Sequence, residues 1–219
     1  MADPAAVRVQ LETTPKKTFA TAVDWPGWSR SGKTPEAAIE ALLAYRDRYA
    51  TAIAPSGEEP PTRPIAAVLD TVEGDGATAY GVPIRIARAD REPLDAGEAD
   101  RRAAIVEAAW RPFDRVADAA PAQLRKGPRG GGRDTPKIVE HVVGADGGSY
   151  SRELGLRMAP PDPTDRREVH ALREAMLGVL RRPSDGSPVT KRWTTRYAAM
   201  RIAWHALDHA WEIEDRSEP

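Results

Sequence analysis

Residues 192–216 read Arg-Trp-Thr-Thr-Arg-Tyr-Ala-Ala-Met-Arg-Ile-Ala-Trp-His-Ala-Leu-Asp-His-Ala-Trp-Glu-Ile-Glu-Asp-Arg. Neither proline nor glycine interrupts them, and Trp193, Tyr197, Met200, Trp204, Leu207 and Trp211 recur in steps of four and three. That spacing keeps all six side chains on one face of a helix, a heptad seam suited to a bundle core. His205 and His209 lie one turn apart, so their imidazoles stack on the same side. At 100° per residue they sit roughly 100–140° round from the seam, beside Ala198 and Ile202, where a second neighbouring helix can bury them. A transition metal is the small object that most often needs two such imidazoles. Arg201, Asp208 and Glu212 fall between the two stripes. Either carboxylate can orient an imidazole from behind or simply pair with Arg201.

The rest of the composition narrows the chemistry. The chain has 219 residues, a formal net charge of −1 and no cysteine. Thiolate ligands, disulfides and a cysteine nucleophile are therefore excluded, and any metal must be held by nitrogen and oxygen. The near-neutral balance gives no global attraction for nucleic acid or an anionic membrane, so neither is expected as a partner. No stretch approaches the roughly 20 apolar residues of a membrane span, and the expected location is cytoplasmic.

Upstream, the chain divides near residue 90. Val7–Leu11 alternates in strand fashion and Thr18–Val23 is a second β-prone run. Pro26-Gly27 and Ser31-Gly32 mark turns, and Thr34-Pro35 is a cap and first-turn pair for a helix to about Ile53. Ile65–Val72 is expected to return as a third strand, and residues 82–97 read as an extended connector. From Glu98 the pattern is helical. Ala104, Ile105, Ala108, Phe113 and Val116 line a first helix, with Pro112 as a local irregularity. A basic, glycine-rich loop covers residues 121–134. Thr135-Pro136 opens a second helix by the same cap logic, running towards Leu154 and carrying His141 in line with Ile138 and Ala145. A third helix spans Thr164–Leu180, and residues 192–216 form the fourth. The expected class is α+β, a small ββαβ unit (1–89) followed by an all-α four-helix bundle (90–219).

Two resemblances follow from these residues. Asp24, Pro26, Gly27, Gly32, Thr34, Glu36 and Ala37 resemble the D-x-P-G…G-x-T-x-E-A signature of HicB-like domains, which implies a small fold like that of double-stranded-RNA-binding domains. No DNA-reading module accompanies it. In the second part, one histidine on helix two and H-x-x-x-H on helix four resemble the DinB/YfiT-like superfamily of metal-binding four-helix bundles. That resemblance implies His141, His205 and His209 as the ligands of a divalent metal, zinc or nickel. Three neutral nitrogen donors are also the number expected of an open, catalytic type of site. A metalloprotease is excluded, because Ala206 stands where its general-base glutamate would follow the first histidine. His170 has no counterpart in the pattern.

Several members of that superfamily are thiol S-transferases or isomerases using bacillithiol, mycothiol or glutathione. The resemblance thus implies a low-molecular-weight thiol as cofactor and a small electrophile as substrate. The loop residues Lys126, Arg129 and Arg133 are candidates for anchoring such a cofactor next to a helix N-terminus, although a merely solvated loop reads the same way. A rival reading is non-enzymatic. In it the bundle stabilises or dimerises the chain, and the N-terminal module binds a protein or RNA through Trp25 and Trp28, unless those tryptophans are core. The catalytic residues themselves are not legible in the sequence.

Overall fold

A strand at the start of the chain, β1 (Ala6–Thr13), pairs antiparallel with β2 (Thr18–Ala22) and parallel with β4 (Ile65–Glu73), while β3 (Ser29–Gly32) closes the far edge against β2. The sheet order is β3-β2-β1-β4 in the computed structural model, which describes residues 5–126 and 132–217. The protein is α+β, as its sequence pattern implies. One strand was not expected. Ser29-Arg-Ser-Gly32 has no apolar run, and it is held by its register with β2, from Thr21↔Ser29 to Thr18↔Gly32, where the sequence suggests only turns.

Burial of β1 also departs from simple alternation. Val7, Val9 and Leu11 are buried, but so are Gln10 and Glu12 on the opposite face. The carboxylate of Glu12 accepts hydrogen bonds from the backbone N–H groups of Ile84 and Arg85 and from the hydroxyl of Thr78. The segment expected to be a plain connector, including the short helix α3 (Gly76–Tyr80), is thereby strapped over the sheet. A buried carboxylate is tolerated because it is multiply bonded.

Between β3 and β4 the expected single helix is two, α1 (Pro35–Ala44) and α2 (Arg46–Ile53), broken at Tyr45. Thr34 caps α1, its hydroxyl accepting from the N–H of Ala37 at 3.2 Å. The other signature residues around it have structural roles. Asp24 accepts two hydrogen bonds from Arg8, at 2.7 and 2.6 Å, and the carbonyl of Pro26 accepts from Tyr49 Oη at 2.9 Å. Gly27 adopts φ +90°, and a methyl group there would meet Ala203 Cβ and Leu207 Cδ1 at 3.0 Å. The turn therefore presses directly on the final helix.

That final helix is α8 (Thr195–Ser217). It packs lengthwise on α4 (Ala96–Ala119), which runs through Pro112 without ending. The helix α7 (Arg166–Leu180) lies against both, and α5 (Thr135–Ala145) reaches α8 and α4. The helical path after α5 widens into a π turn at Asp146–Tyr150 and ends in the short α6 (Ser151–Glu153). Thr135 does not cap α5. It stands inside the helix and donates its hydroxyl to the carbonyl of Pro121, and Asp134 takes the cap position.

The helix begins at Thr195, later than the expected residue 192, so five seam residues lie on α8 and Trp193 just before it; all six are buried, with Phe19 of β2 edge-on to Trp204 at 6.2 Å. Apolar residues of the sheet, of α1 and α2, and of the later helices belong to one packed cluster that runs across residue 90. Among the described residues no helix is long and apolar enough to cross a membrane.

Candidate metal centre

The helix α8 is buried on more than one side, because α4 and the Gly27 turn cover one part of it and α5 another. His205 therefore lies at 5% exposure, while His209, one turn on, is half-buried nearer the surface. The facing helix α5 is amphipathic, with Ile138 and Val142 in the core, and it presents the half-buried His141 towards the same point.

The three rings form a nearly equilateral set. Centroids are 4.9 Å apart for His141–His205, 5.0 Å for His141–His209 and 4.8 Å for His205–His209. His141 Nε2 and His205 Nε2 approach to 3.1 Å, and one donor nitrogen from each ring lies within 4.8 Å of the others. Metal–nitrogen bonds of about 2.0–2.1 Å place the donors of a tetrahedral site roughly 3.3 Å apart. One pair has about that spacing, and the third donor lies within 4.8 Å of both. The three histidines can hold a metal ion.

Their protonation suits the task. Burial, reinforced by the nearby Arg133, pushes the pKa of His141 down to about 4. Burial holds that of His205 well below the ordinary range, with His209, Arg201 and His141 adding to the effect. Both rings are thus neutral at pH 7, the form that ligates. Of the two carboxylates that could orient a ring, Glu212 does so, accepting from His209 Nδ1 at 2.7 Å. Burial raises the pKa of Glu212, but the bonds from His209 and Arg216 outweigh it and keep the group below the usual carboxylate range. Asp208 instead pairs with Arg30 at 3.4 Å, and neither acid pairs with Arg201.

An open depression beside His141 is lined by Arg133, Lys137 and Glu140. Of the loop cations singled out in the sequence, Arg133 is brought next to the triad. Lys126 is engaged by Asp134 at 2.8 Å and does not line the depression, and Arg129 lies outside the described residues. His170 is exposed on α7, away from the cluster.

One aromatic neighbour, Tyr150, carries no signal in the sequence pattern, whereas the other, Trp204, belongs to the heptad seam. The π turn aims Tyr150 at α8, with its ring 5.5 Å from His205 and 5.1 Å from Trp193. Trp204 lies 6.3 Å from His205 on the other side. The paired tryptophans of the N-terminal module do not form an exposed platform. Trp28 is fully buried, stacked on Tyr49 at 5.2 Å and donating Nε1–H to the carbonyl of Leu42 at 2.8 Å. Trp25 is half-buried under the guanidinium of Arg101.

Comparison of the chain with family models, with curated proteins and with solved structures finds no match.

Proposed function

We propose that the protein binds a divalent metal, zinc or nickel, through His141, His205 and His209, and transfers a low-molecular-weight thiol to a small electrophile. The helical part is read as a DinB/YfiT-like four-helix bundle behind a HicB-like module. The observation that carries the metal reading is the convergence of three imidazoles from two helices, with Glu212 fixing one of them from behind. A divalent ion held there lowers the pKa of a coordinated thiol or water and so supplies a nucleophile at neutral pH.

The chain's own residues supply the setting. Because the protein has no cysteine, the thiol comes from outside. Tyr150, Trp193 and Trp204 wall off the His205 side from water. The half-buried His141 leaves the opposite side open towards a depression lined by Arg133, Asp134, Lys137 and Glu140, where Lys137 is paired with Glu140 at 2.6 Å.

The transfer reaction is tested by following consumption of a thiol and monochlorobimane with purified, tag-free protein. Turnover above the spontaneous rate is expected, lost on chelation, restored by zinc or nickel and absent in His205→Ala. A rate equal to the spontaneous one with metal-loaded protein would overturn the transferase reading while leaving the metal site standing.

One observation favours a second role for the N-terminal module. Among the described residues β4 has an unpaired edge, and Ile65, Val68 and Leu69 on it are exposed. Such an edge is a template for strand pairing, here with a second copy of the chain. A homodimer by light scattering that becomes monomeric in Val68→Lys would support this, and a wild-type monomer at high concentration would refute it.

A further inference from the structure

Four arginines are buried among the described residues, and three of them are matched. Arg102 is held by Glu98 at 2.7 Å and the carbonyl of Val23 at 3.1 Å. Arg173 is held by Asp114 at 2.7 Å, although its buried Nε makes no hydrogen bond and faces Asp146 at 3.9 Å, and Arg196 by the carbonyls of Glu92 and Pro93 at 2.9 Å. Arg201 is the exception. It is 9% exposed, its Nη1 is buried without a hydrogen-bond partner, and no described carboxylate lies within ion-pair distance. Its guanidinium stacks only on aromatic faces, 4.6 Å from the ring of Trp204 and 5.6 Å from that of Tyr150.

A buried cation with neither anion nor acceptor is costly, and stacking on two rings offsets only part of that cost. Its position is informative. Arg201 is one turn before His205 on the same side of α8, and it shares Tyr150 as a neighbour with the His205 ring. Trp204, whose ring faces the guanidinium, likewise has its buried Nε1 without a partner. A buried guanidinium nitrogen without an acceptor, one helical turn from a cluster of metal-ligating nitrogens, suits an oxyanion.

We propose that Arg201 is the anion-recognition residue of this centre, and that its ligand is a small carboxylate-bearing molecule held between the guanidinium and the histidine triad. This deepens the metal-centre reading and rests on it for the ligand's other end. The carboxylate accepts from Arg201 Nη1.

Full-length wild type, Arg201→Gln and Arg201→Met are titrated calorimetrically with mercaptoacetate and with its neutral counterpart 2-mercaptoethanol, in zinc-loaded and in chelator-treated form. Wild type is expected to prefer mercaptoacetate, and both variants to lose about tenfold or more of that preference, with unchanged affinity for 2-mercaptoethanol and unchanged zinc uptake. Arg201→Met without ligand is expected to melt higher than wild type, because an unmatched buried charge has been removed. Equal preference for the carboxylate in wild type and variants, or no preference in wild type, would overturn the proposal. So would a lower melting temperature in Arg201→Met with carboxylate preference intact, the signature of a structural arginine. Failure of the metal reading is seen separately, as absent zinc uptake in wild type, and the chelator-treated titrations still report on Arg201.

Discussion

Glu212 Oε2 accepts a hydrogen bond from His209 Nδ1 at 2.7 Å, and this fixes the ring's tautomer so that Nε2 carries a free lone pair. The same carboxylate accepts from Arg216 Nη1 at 2.7 Å, which holds it in place. A ligand histidine backed by a carboxylate is both oriented and made more basic. Glu212→Ala is therefore expected to weaken zinc affinity about ten- to a hundredfold, measured by competition with a chromogenic chelator, while the helical circular dichroism signal is retained.

Gly27 makes a second prediction. At φ +90° a side chain is strained, and a methyl group would meet Ala203 and Leu207 of α8 at 3.0 Å. Gly27→Ala is expected to destabilise the protein by about 2–4 kcal/mol, combining backbone strain and overpacking, read as a lower urea midpoint.

Trp28 and Trp25 should behave differently although they flank one turn. Trp28 is fully buried and donates to the carbonyl of Leu42, so Trp28→Ala should cost about 3–5 kcal/mol. Trp25→Ala removes a half-buried ring under Arg101 and should cost clearly less. Equal costs in parallel denaturation curves would contradict this packing.

Asp146 gives the pH dependence. It is buried at the start of the π turn, and burial pushes its pKa up to about 7 despite Arg173, whose Nε lies 3.9 Å away. The ordinary value for this group is 3.8. Between those pH values the folded state binds the proton that the unfolded state has lost. The contribution to stability is therefore present at low pH and disappears as pH rises through about 7. Asp146→Asn mimics the protonated acid. Its melting temperature should match wild type only below about pH 4, already exceed it at about pH 5 and exceed it most at about pH 8, by roughly 2–4 °C per kcal/mol recovered.

What the sequence reveals and conceals follows from the range of the interactions. His205, His209 and the aromatic seam of α8 are legible because helical periodicity is local, and the class of the fold follows from the same periodicities. The strand Ser29–Gly32 is not legible, since nothing in its composition is β-like and only its partner Thr18–Thr21 makes it a strand. Buried Glu12 is equally silent, because its partners Thr78, Ile84 and Arg85 lie some 70 residues away. At the centre, Glu212 and Asp208 are equivalent on the helix, and only the position of Arg30 on β3 separates their roles. Tyr150 reaches His205 through a π turn that a straight continuation of α5 does not anticipate.

The most direct measurement is a calorimetric zinc titration of chelator-treated, tag-free protein, with His141→Ala, His205→Ala and His209→Ala alongside. Wild type should take up a single ion per chain, and each variant should lose at least about a hundredfold in affinity, since removing one of three ligands leaves two. Negligible binding in wild type, or binding undiminished in all three variants, would contradict a metal centre at these histidines.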